Sequence, residues 1–138
     1  MISPALHRLS EIVAAEPEVK GRIAVLDCAA LLPFEVKRVY WIHGMTRGER
    51  RGGHAHKALT QAVVAMTGRV HFELDDGTTR SHWQLERPNE YLIVPPDHWR
   101  DFTALDEGAC LMVLASAPYE EADYIRDYQE FLTWRGKG

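Results

Sequence analysis

The sequence has few cysteines, no long apolar run and no excess of positive charge, and each shortage excludes a class of protein. Its 138 residues contain only two cysteines, too few for a disulfide framework and without CxxC spacing. No stretch approaches the roughly 20 apolar residues that cross a bilayer. Sixteen Lys and Arg against twenty Asp and Glu give a net charge of −4, which argues against general nucleic-acid binding.

The cysteines and the N-terminal segment indicate a cytoplasmic protein. Cys28 and Cys110 lie in apolar surroundings, which favours two buried free thiols in a reducing compartment. Residues 1–20 contain acidic and polar side chains where a secretory signal would be continuously apolar. The length and the composition, 46% hydrophobic and 26% charged, fit one soluble domain over 1–138 that needs no metal or disulfide to fold.

Short apolar runs separated by turn residues begin near residue 22 and predict an all-β fold. Val70, Phe72 and Leu74 alternate with polar residues, and Asp76-Gly77 is a strong hairpin signal. Many short strands at this spacing are typical of an antiparallel sandwich or barrel rather than of βαβ units. The candidate strands are 22–27, 35–43, 60–67, 69–75, 79–85, 90–94, 99–104 and 110–116.

Both ends of the chain show helical spacing instead. Apolar residues at three- and four-residue intervals within 5–14 predict a short helix or an irregular amphipathic lead-in. An apolar stripe over 119–134 predicts a C-terminal helix laid on the barrel. The aromatic residues expected to pack that helix are Tyr119, Tyr124, Tyr128 and Phe131. The acids expected to form its solvated face, and not to act in catalysis, are Glu120, Glu121 and Asp123.

The segment RGGHAHK, residues 51–57, carries the most distinctive chemistry of the chain. On a strand, the two-residue spacing places His54 and His56 on the same face. A same-face histidine pair behind a glycine-rich approach is seldom only structural. On the candidate strand 35–43, Arg38 and Tyr40 also share a face, which favours an interior pocket for an anionic ligand over an exterior dimer contact.

The stretch 48–68 has the spacing G(X)5HXH(X)4Q(X)6G and resembles the first signature of the cupin superfamily. Metal-binding cupins have a glutamate where Gln61 stands. Their second signature has a glycine where this chain has Asp97, and a histidine ligand where it has Arg100. Because arginine cannot be a ligand, these residues make a poor divalent-cation site unless His98 turns inward. We therefore expect no metal, which leaves the histidine pair free to transfer protons near neutral pH.

Further blocks of the sequence are similar to one family, the sugar 3,4-ketoisomerases, also known as WxcM-like cupins. The resemblance extends over about residues 20–131 and is carried by PFEVKRVY at 33–40, RGGHAHK at 51–57, PPDHW at 95–99 and DYIR at 123–126. It implies a cupin fold with a C-terminal helix, a homodimer formed by exchanged strands, and no metal or other cofactor. It also implies the conversion of dTDP-4-keto-6-deoxyglucose to a 3-keto isomer, for deoxysugars of surface glycans or antibiotics.

The same resemblance implies roles for individual residues. His54 matches the histidine proposed as the proton-shuttling base, and His56 matches the second active-site histidine. Tyr40 matches the active-site tyrosine, and Arg51 the arginine that opens the histidine motif. A ketone moves from C4 to C3 through an enediol, which needs one base near neutral pKa. Donors such as the Tyr40 hydroxyl, a protonated His56 and Arg51 would stabilise the negative charge on oxygen.

Candidate substrate-binding side chains complete the predicted site. Arg38 and Arg51 suit bidentate contacts with a diphosphate, and Lys57 suits a point charge. Trp99 and Trp41 could stack on a thymine, although core packing is the expected role of each. The full set of candidate substrate-binding residues is Arg38, Lys57, Gln61, Trp99 and Arg100.

Other functions fit parts of this pattern. A nucleotide-sugar 3,5-epimerase would also need a base near acidic C–H bonds. A non-catalytic cupin could use the same pocket to recognise a sugar or a nucleotide. A metal-dependent cupin oxygenase is disfavoured by Gln61 and Arg100.

Overall fold

The computed structural model describes residues 2–136 and contains two five-stranded antiparallel sheets. One sheet has the strand order β1-β9-β6-β11-β4 and the other the order β12-β5-β10-β7-β8, while β2 and β3 form a separate hairpin. In chain order the elements are β1 (Ala5–Arg8), β2 (Glu11–Val13), β3 (Arg22–Ala24), α1 (Cys28–Leu31), β4 (Arg38–Met45), β5 (Arg50–His56), β6 (Gln61–Thr67), β7 (Val70–Asp75), β8 (Arg80–Leu85), β9 (Glu90–Val94), β10 (Trp99–Ala104), β11 (Ala109–Ala115), β12 (Tyr124–Ile125) and α2 (Tyr128–Trp134).

The two sheets pack face to face over an apolar core, as an all-β fold requires. Phe72 and Phe102 of the second sheet stack with ring centroids 4.9 Å apart. They meet Val63, Leu92 and Leu111 of the first sheet, and all five side chains are at most 7% exposed. Neither sheet closes on itself, because each ends in edge strands. All eight candidate strands overlap observed ones.

The first sheet is also partly buried on its second face. Val64, Ile93 and Leu114 point away from the main core and pack beneath Leu9 and Leu32 of the N-terminal segment. Strands β6 and β9 are therefore apolar on both faces, which explains their continuous rather than alternating apolar runs.

The N-terminal segment is not helical, so the helix, one of the two alternatives predicted for residues 5–14, is wrong. Strand β1 pairs with β9 from Ala5↔Ile93 to Arg8↔Glu90, which satisfies backbone groups at the edge of the first sheet. The apolar spacing does not make one buried stripe, since Leu9 is buried while Ile12 is 59% exposed. Tertiary pairing has overridden a weak helical pattern.

The C-terminal helix is shorter than predicted over 119–134. Glu121–Asp123 form a single 3₁₀ turn, and β12 pairs antiparallel with β5. Helix α2 begins only at Tyr128, after the Asp127 side chain accepts a hydrogen bond from the Glu130 backbone N–H. Its Phe131 is fully buried, in a cluster with Ala55, Trp99 and Ile125. The packing of α2 on the second sheet is as predicted.

The turn before β10 is held by the histidine strand and by the end of α2. Asp97 has a positive φ of 61° where the cupin signature has glycine, a conformation that Asp tolerates better than most residues. Its N–H donates to the carbonyl of His56, and its carboxylate accepts a hydrogen bond of 2.8 Å from the Trp134 indole. The turn therefore fixes the start of the strand that carries Arg100.

Two expectations from composition can be compared with the structure. Cys28 and Cys110 are free thiols, as predicted, but they are half-buried rather than buried. Within residues 2–136, no helix is long and apolar enough to cross a membrane.

Candidate active site

Strand β5, between β12 and β10 of the second sheet, places both motif histidines on one face. Their ring centroids lie 5.0 Å apart with the planes nearly perpendicular, while Ala55 between them points into the α2 cluster. Gly52 lets β5 approach β10 closely: it has a positive φ of 95°, and an added Cβ would lie 2.7 Å from the Arg100 carbonyl oxygen. The geometry of β5 thus places the His54 and His56 side chains next to each other.

His54 opens into a cavity of about 630 Å³ between the two sheets, here called the larger cavity. Strand β4 contributes the inward-facing side chains predicted from its alternation, and β5 and β12 supply the opposite wall. The structure therefore brings together four of the sequence-predicted residues. The lining includes Arg38, Tyr40, Arg51, His54, Tyr124 and Arg126.

His56 opens into an adjoining smaller cavity of about 380 Å³. Arg38 and Tyr124 line both cavities, so they stand at the junction between them. The Tyr124 ring lies 5.1 Å from the His54 ring and 4.3 Å from the His56 ring. The prediction that Tyr124 packs a helix is wrong, because strand β12 aims this ring at the histidines. Tyr119, from the same predicted set, is 56% exposed.

Asp123 holds the imidazole of His56. Its Oδ2 lies 2.9 Å from His56 Nδ1, and its Oδ1 accepts a hydrogen bond of 2.8 Å from the Ala58 N–H. A carboxylate only accepts, so Nδ1 carries the ring proton and Nε2 is left as an acceptor. Nε2 is buried without a partner among residues 2–136. The prediction that Asp123 is a solvated acid is wrong, although its DYIR block had been part of the family resemblance.

A buried hydrogen-bond relay stands behind Tyr40. Arg100 is 2% exposed, and its Nη1 donates to Gln61 Oε1 over 2.8 Å. Since a guanidinium only donates, the orientation of the amide is fixed, and Gln61 Nε2 donates to the Tyr40 hydroxyl over 3.0 Å. The Tyr40 oxygen accepts that bond, so its own proton is available to the larger cavity. Gln61 and Arg100 thus support Tyr40 from behind.

Gln61 and Arg100 of this relay stand at two of the positions that hold metal in the cupin signatures. Within residues 2–136, no third metal-ligating side chain joins His54 and His56. His98 does not turn toward the pair, because its Nδ1 contacts the Pro96 carbonyl oxygen and its side chain lines a different cavity. The donor set at the histidine pair therefore does not suit a divalent cation.

Burial and the nearby guanidinium set the protonation of the site. Burial, with a further contribution from Arg100, lowers the pKa of His54 to about 4 and that of His56 to about 2. Burial lowers the pKa of Arg100 to about 10 and raises that of Tyr40 above its usual value. At neutral pH the site therefore holds two neutral imidazoles, a neutral phenol and one buried positive charge.

Arg38 differs from the other arginines of the larger cavity. Arg50, Arg51 and Arg126 each contact a carboxylate of this chain. Within residues 2–136, Arg38 has no carboxylate at ion-pair distance, and its buried Nε has no hydrogen-bond partner. Its guanidinium lies over the Tyr40 ring, 5.1 Å from the centroid. Arg38 is thus available to an anionic group at the junction of the two cavities.

Three predicted contacts lie away from these cavities. Lys57 is exposed and lies over the Trp134 ring, because the inward face of β5 ends at His56. Trp99 is 8% exposed and packs on Tyr128 and Phe131, which agrees with the core role expected for it. The core role expected for Trp41 is wrong, since this side chain is 61% exposed.

Comparison with known proteins identifies one family. Its model, described as FdtA: WxcM-like, C-terminal, matches residues 4–136, which extends beyond the resemblance over 20–131. A TDP-4-oxo-6-deoxy-alpha-D-glucose-3,4-oxoisomerase from Aneurinibacillus thermoaerophilus is 36% identical over 118 residues, covering 86% of this chain and 85% of that protein.

Solved structures of similar proteins share the whole fold. A 3,4-ketoisomerase from Helicobacter canadensis has a TM-score of 0.90 at 34% identity and covers 99% of both chains. A histidine-to-asparagine mutant of the 3,4-ketoisomerase QdtA from Thermoanaerobacterium thermosaccharolyticum, in complex with TDP-4-keto-6-deoxyglucose, has a TM-score of 0.89 at 30% identity. It covers 99% of this chain and 96% of that chain. The predicted fold class, an all-β cupin with a C-terminal helix, is confirmed.

The lowered histidine pKa values predict that acid destabilises the protein. An unfolded imidazole titrates near pH 6.5, so below that pH the unfolded chain binds protons that the folded chain excludes. These histidines therefore leave the free energy of unfolding unchanged above about pH 6.5 and lower it as the pH falls toward 4. Between pH 6 and 5, wild type should lose about 1 kcal/mol more unfolding free energy than His54→Asn. Urea titrations measure this, with exposed His43→Asn as control; equal losses in wild type and His54→Asn would contradict it.

Proposed function

The chain belongs to the WxcM-like FdtA family of isomerases, and on that premise we propose that it converts dTDP-4-keto-6-deoxyglucose into a dTDP-linked 3-keto-6-deoxyhexose. One observation carries the proposal: a neutral His54 opens into the same cavity as Tyr40, whose hydroxyl proton is free to face that cavity. A base and an acid placed together in this way can remove a carbon-bound proton while protonating the neighbouring oxygen.

The reaction needs two proton movements and no net oxidation. His54 removes the proton from C3 while Tyr40 gives its hydroxyl proton to the C4 carbonyl oxygen, which forms the enediol. The C3 hydroxyl then returns a proton to the Tyr40 oxygen as the C3 carbonyl forms. His54 delivers the carbon proton to C4, so both side chains end in their starting states.

His56 has an orienting role in this proposal. Asp123 keeps the ring proton on Nδ1, so the buried Nε2 can accept a hydrogen bond from a sugar hydroxyl. An acceptor in this place fixes how the ring of the sugar faces His54. In this proposal His54 transfers the carbon-bound proton and His56 orients the sugar.

The two cavities together suit a nucleotide-linked sugar. Arg38 at their junction can form a bidentate contact with a diphosphate, and the neighbouring Arg51 adds positive charge. The Thermoanaerobacterium relative was solved with the proposed substrate bound. Its bound nucleotide sugar supports this class of ligand for the larger cavity and its neighbour.

We also propose that the chain acts as a cytoplasmic homodimer formed by strand exchange, in a pathway that makes deoxysugars for glycans or antibiotics. The hairpin of β2 and β3 supports the dimer, because Ile12, Val13 and Ile23 are all more than half exposed. Apolar side chains left open on a two-stranded hairpin are typical of a surface that another chain covers.

The epimerase and the non-catalytic cupin are not favoured. The relatives described above, which are 30–36% identical to this chain, are 3,4-ketoisomerases. An epimerase would in addition require exchange of the proton on C5.

The direct test of the function is to incubate the protein with dTDP-4-keto-6-deoxyglucose in D2O and identify the product by NMR. We expect a 3-keto sugar from wild type and no turnover from His54→Asn, because asparagine cannot act as the base. The affinity of His54→Asn for thymidine diphosphate should stay within about twofold of wild type, since the substitution removes the base and not a group that binds the nucleotide. Deuterium at C5 would indicate the epimerase instead, and binding without turnover the recognition module. Wild-type activity in His54→Asn would remove this residue from the mechanism.

Asp123→Asn tests the tautomer of His56. The amide oxygen would keep the Ala58 N–H, so its NH2 would face His56 Nδ1 and force the ring proton onto Nε2. We expect kcat to fall by about 100-fold or more, as when other catalytic histidines adopt the wrong tautomer. Melting temperature and affinity for thymidine diphosphate should change little. Exposed Glu130→Gln is the matched control, and an unchanged kcat in Asp123→Asn would exclude the orienting role.

A further inference from the structure

A second group of histidines lies on the outer face of the second sheet, away from the catalytic cavities. Strand β7 turns Phe72 and Leu74 into the core, so His71 and Glu73 point outward. On the neighbouring strand β8, His82 is directly opposite Glu73 and also points outward. None of these three outward residues lines the larger or the smaller cavity. The ladder of β7 and β8 thus gathers two imidazoles and a carboxylate on one surface.

The spacing of these donors matches a metal site. Nε2 of His71 and Nδ1 of His82 lie 3.1 Å apart, and the ligand atoms of all three residues lie within 4.8 Å of one another. A tetrahedral zinc ion with Zn–N bonds of about 2.0–2.1 Å separates two nitrogen ligands by roughly 3.3 Å. The two imidazoles therefore need to move apart by only a few tenths of an ångström. The ring proton that lies between these two nitrogens would move to the other nitrogen of the histidine that carries it.

Two arginines contact the Glu73 carboxylate, and the hydrogen bond from Arg80 goes to one of its oxygens. Arg80 and Arg50 contact Glu73 Oε2 at 3.2 and 3.5 Å. Glu73 Oε1 accepts no hydrogen bond from residues 2–136. Outer hydrogen bonds of this kind orient a ligating carboxylate and leave its other oxygen for the metal. Asp101 also contacts Arg50, at 3.3 Å, which offsets part of the positive charge near the site.

We propose that His71, Glu73 and His82 bind a zinc ion, or another late first-row divalent ion, on the outer face of the second sheet. Two imidazoles and one carboxylate suit these ions rather than magnesium or calcium, which take oxygen ligands. Three protein ligands leave one position for water. Because β8 is an edge strand, the ion would clamp it to β7 and stabilise the sheet edge. The site acts on stability and is independent of the isomerase chemistry.

Zinc titration of the purified wild type and its variants tests the site. We expect wild type to bind one equivalent of Zn2+ by calorimetry and to melt at a higher temperature when Zn2+ is added. Exposed His82→Gln should weaken this binding by more than about tenfold, because the loss of a ligand costs at least as much as an outer-shell change. The temperature shift should disappear in the same variant.

Two further variants test whether Zn2+ binds at this site and not at another histidine. His43→Gln removes an exposed histidine from the other sheet and should bind Zn2+ like wild type. His54→Asn removes the catalytic imidazole and should still bind one equivalent of Zn2+. Absence of Zn2+ binding in wild type, unchanged binding in His82→Gln, or loss of the equivalent in His54→Asn would overturn the proposal. The last result would place the ion at the catalytic pair instead.

Discussion

The guanidinium of Arg100 is almost completely buried, so its charge and its N–H donors depend on partners inside the protein, and only its Nε has none among residues 2–136. Gln61 accepts one bond, and the carbonyl oxygens of Pro95 and His98 accept two more. These contacts fix the amide of Gln61 and, through it, the hydroxyl of Tyr40. Burial, together with this positive charge, disfavours protonation of His54 and His56. In the proposed mechanism this one buried cation orients the acid, Tyr40, and adds to the burial that keeps the base, His54, neutral.

The C-terminal segment completes the site that this cation organises. Strand β12 pairs with the edge of β5, which brings Tyr124 against both histidine rings and Asp123 against His56. Helix α2 then anchors the segment through the fully buried Phe131. A change that loosened α2 would therefore affect the tautomer of His56 as well as the stability of the sheet.

Local periodicity was enough to predict the parts of the site that lie on single strands. His54 and His56, or Arg38 and Tyr40, share a face because they are two residues apart. The contact of His56 with Asp123 spans 67 residues and depends on how β12 pairs, which no local pattern reveals. The helical spacing within 5–14 misled for a related reason, because pairing with β9 decides its structure. Gln61 and Arg100 were expected as substrate contacts, yet packing between the sheets places them one layer behind Tyr40.

The kcat of Gln61→Glu shows directly whether the relay from Arg100 controls the proton of Tyr40. A glutamate of the same size would pair with Arg100 and accept the Tyr40 proton, which would turn that proton away from the sugar. We expect kcat to fall by about 100-fold or more, the usual loss for one donor to a developing oxyanion. Folding and affinity for thymidine diphosphate should be retained, and exposed Gln129→Glu should behave as wild type. A Gln61→Glu enzyme with wild-type kcat would contradict the relay from Arg100 to Tyr40.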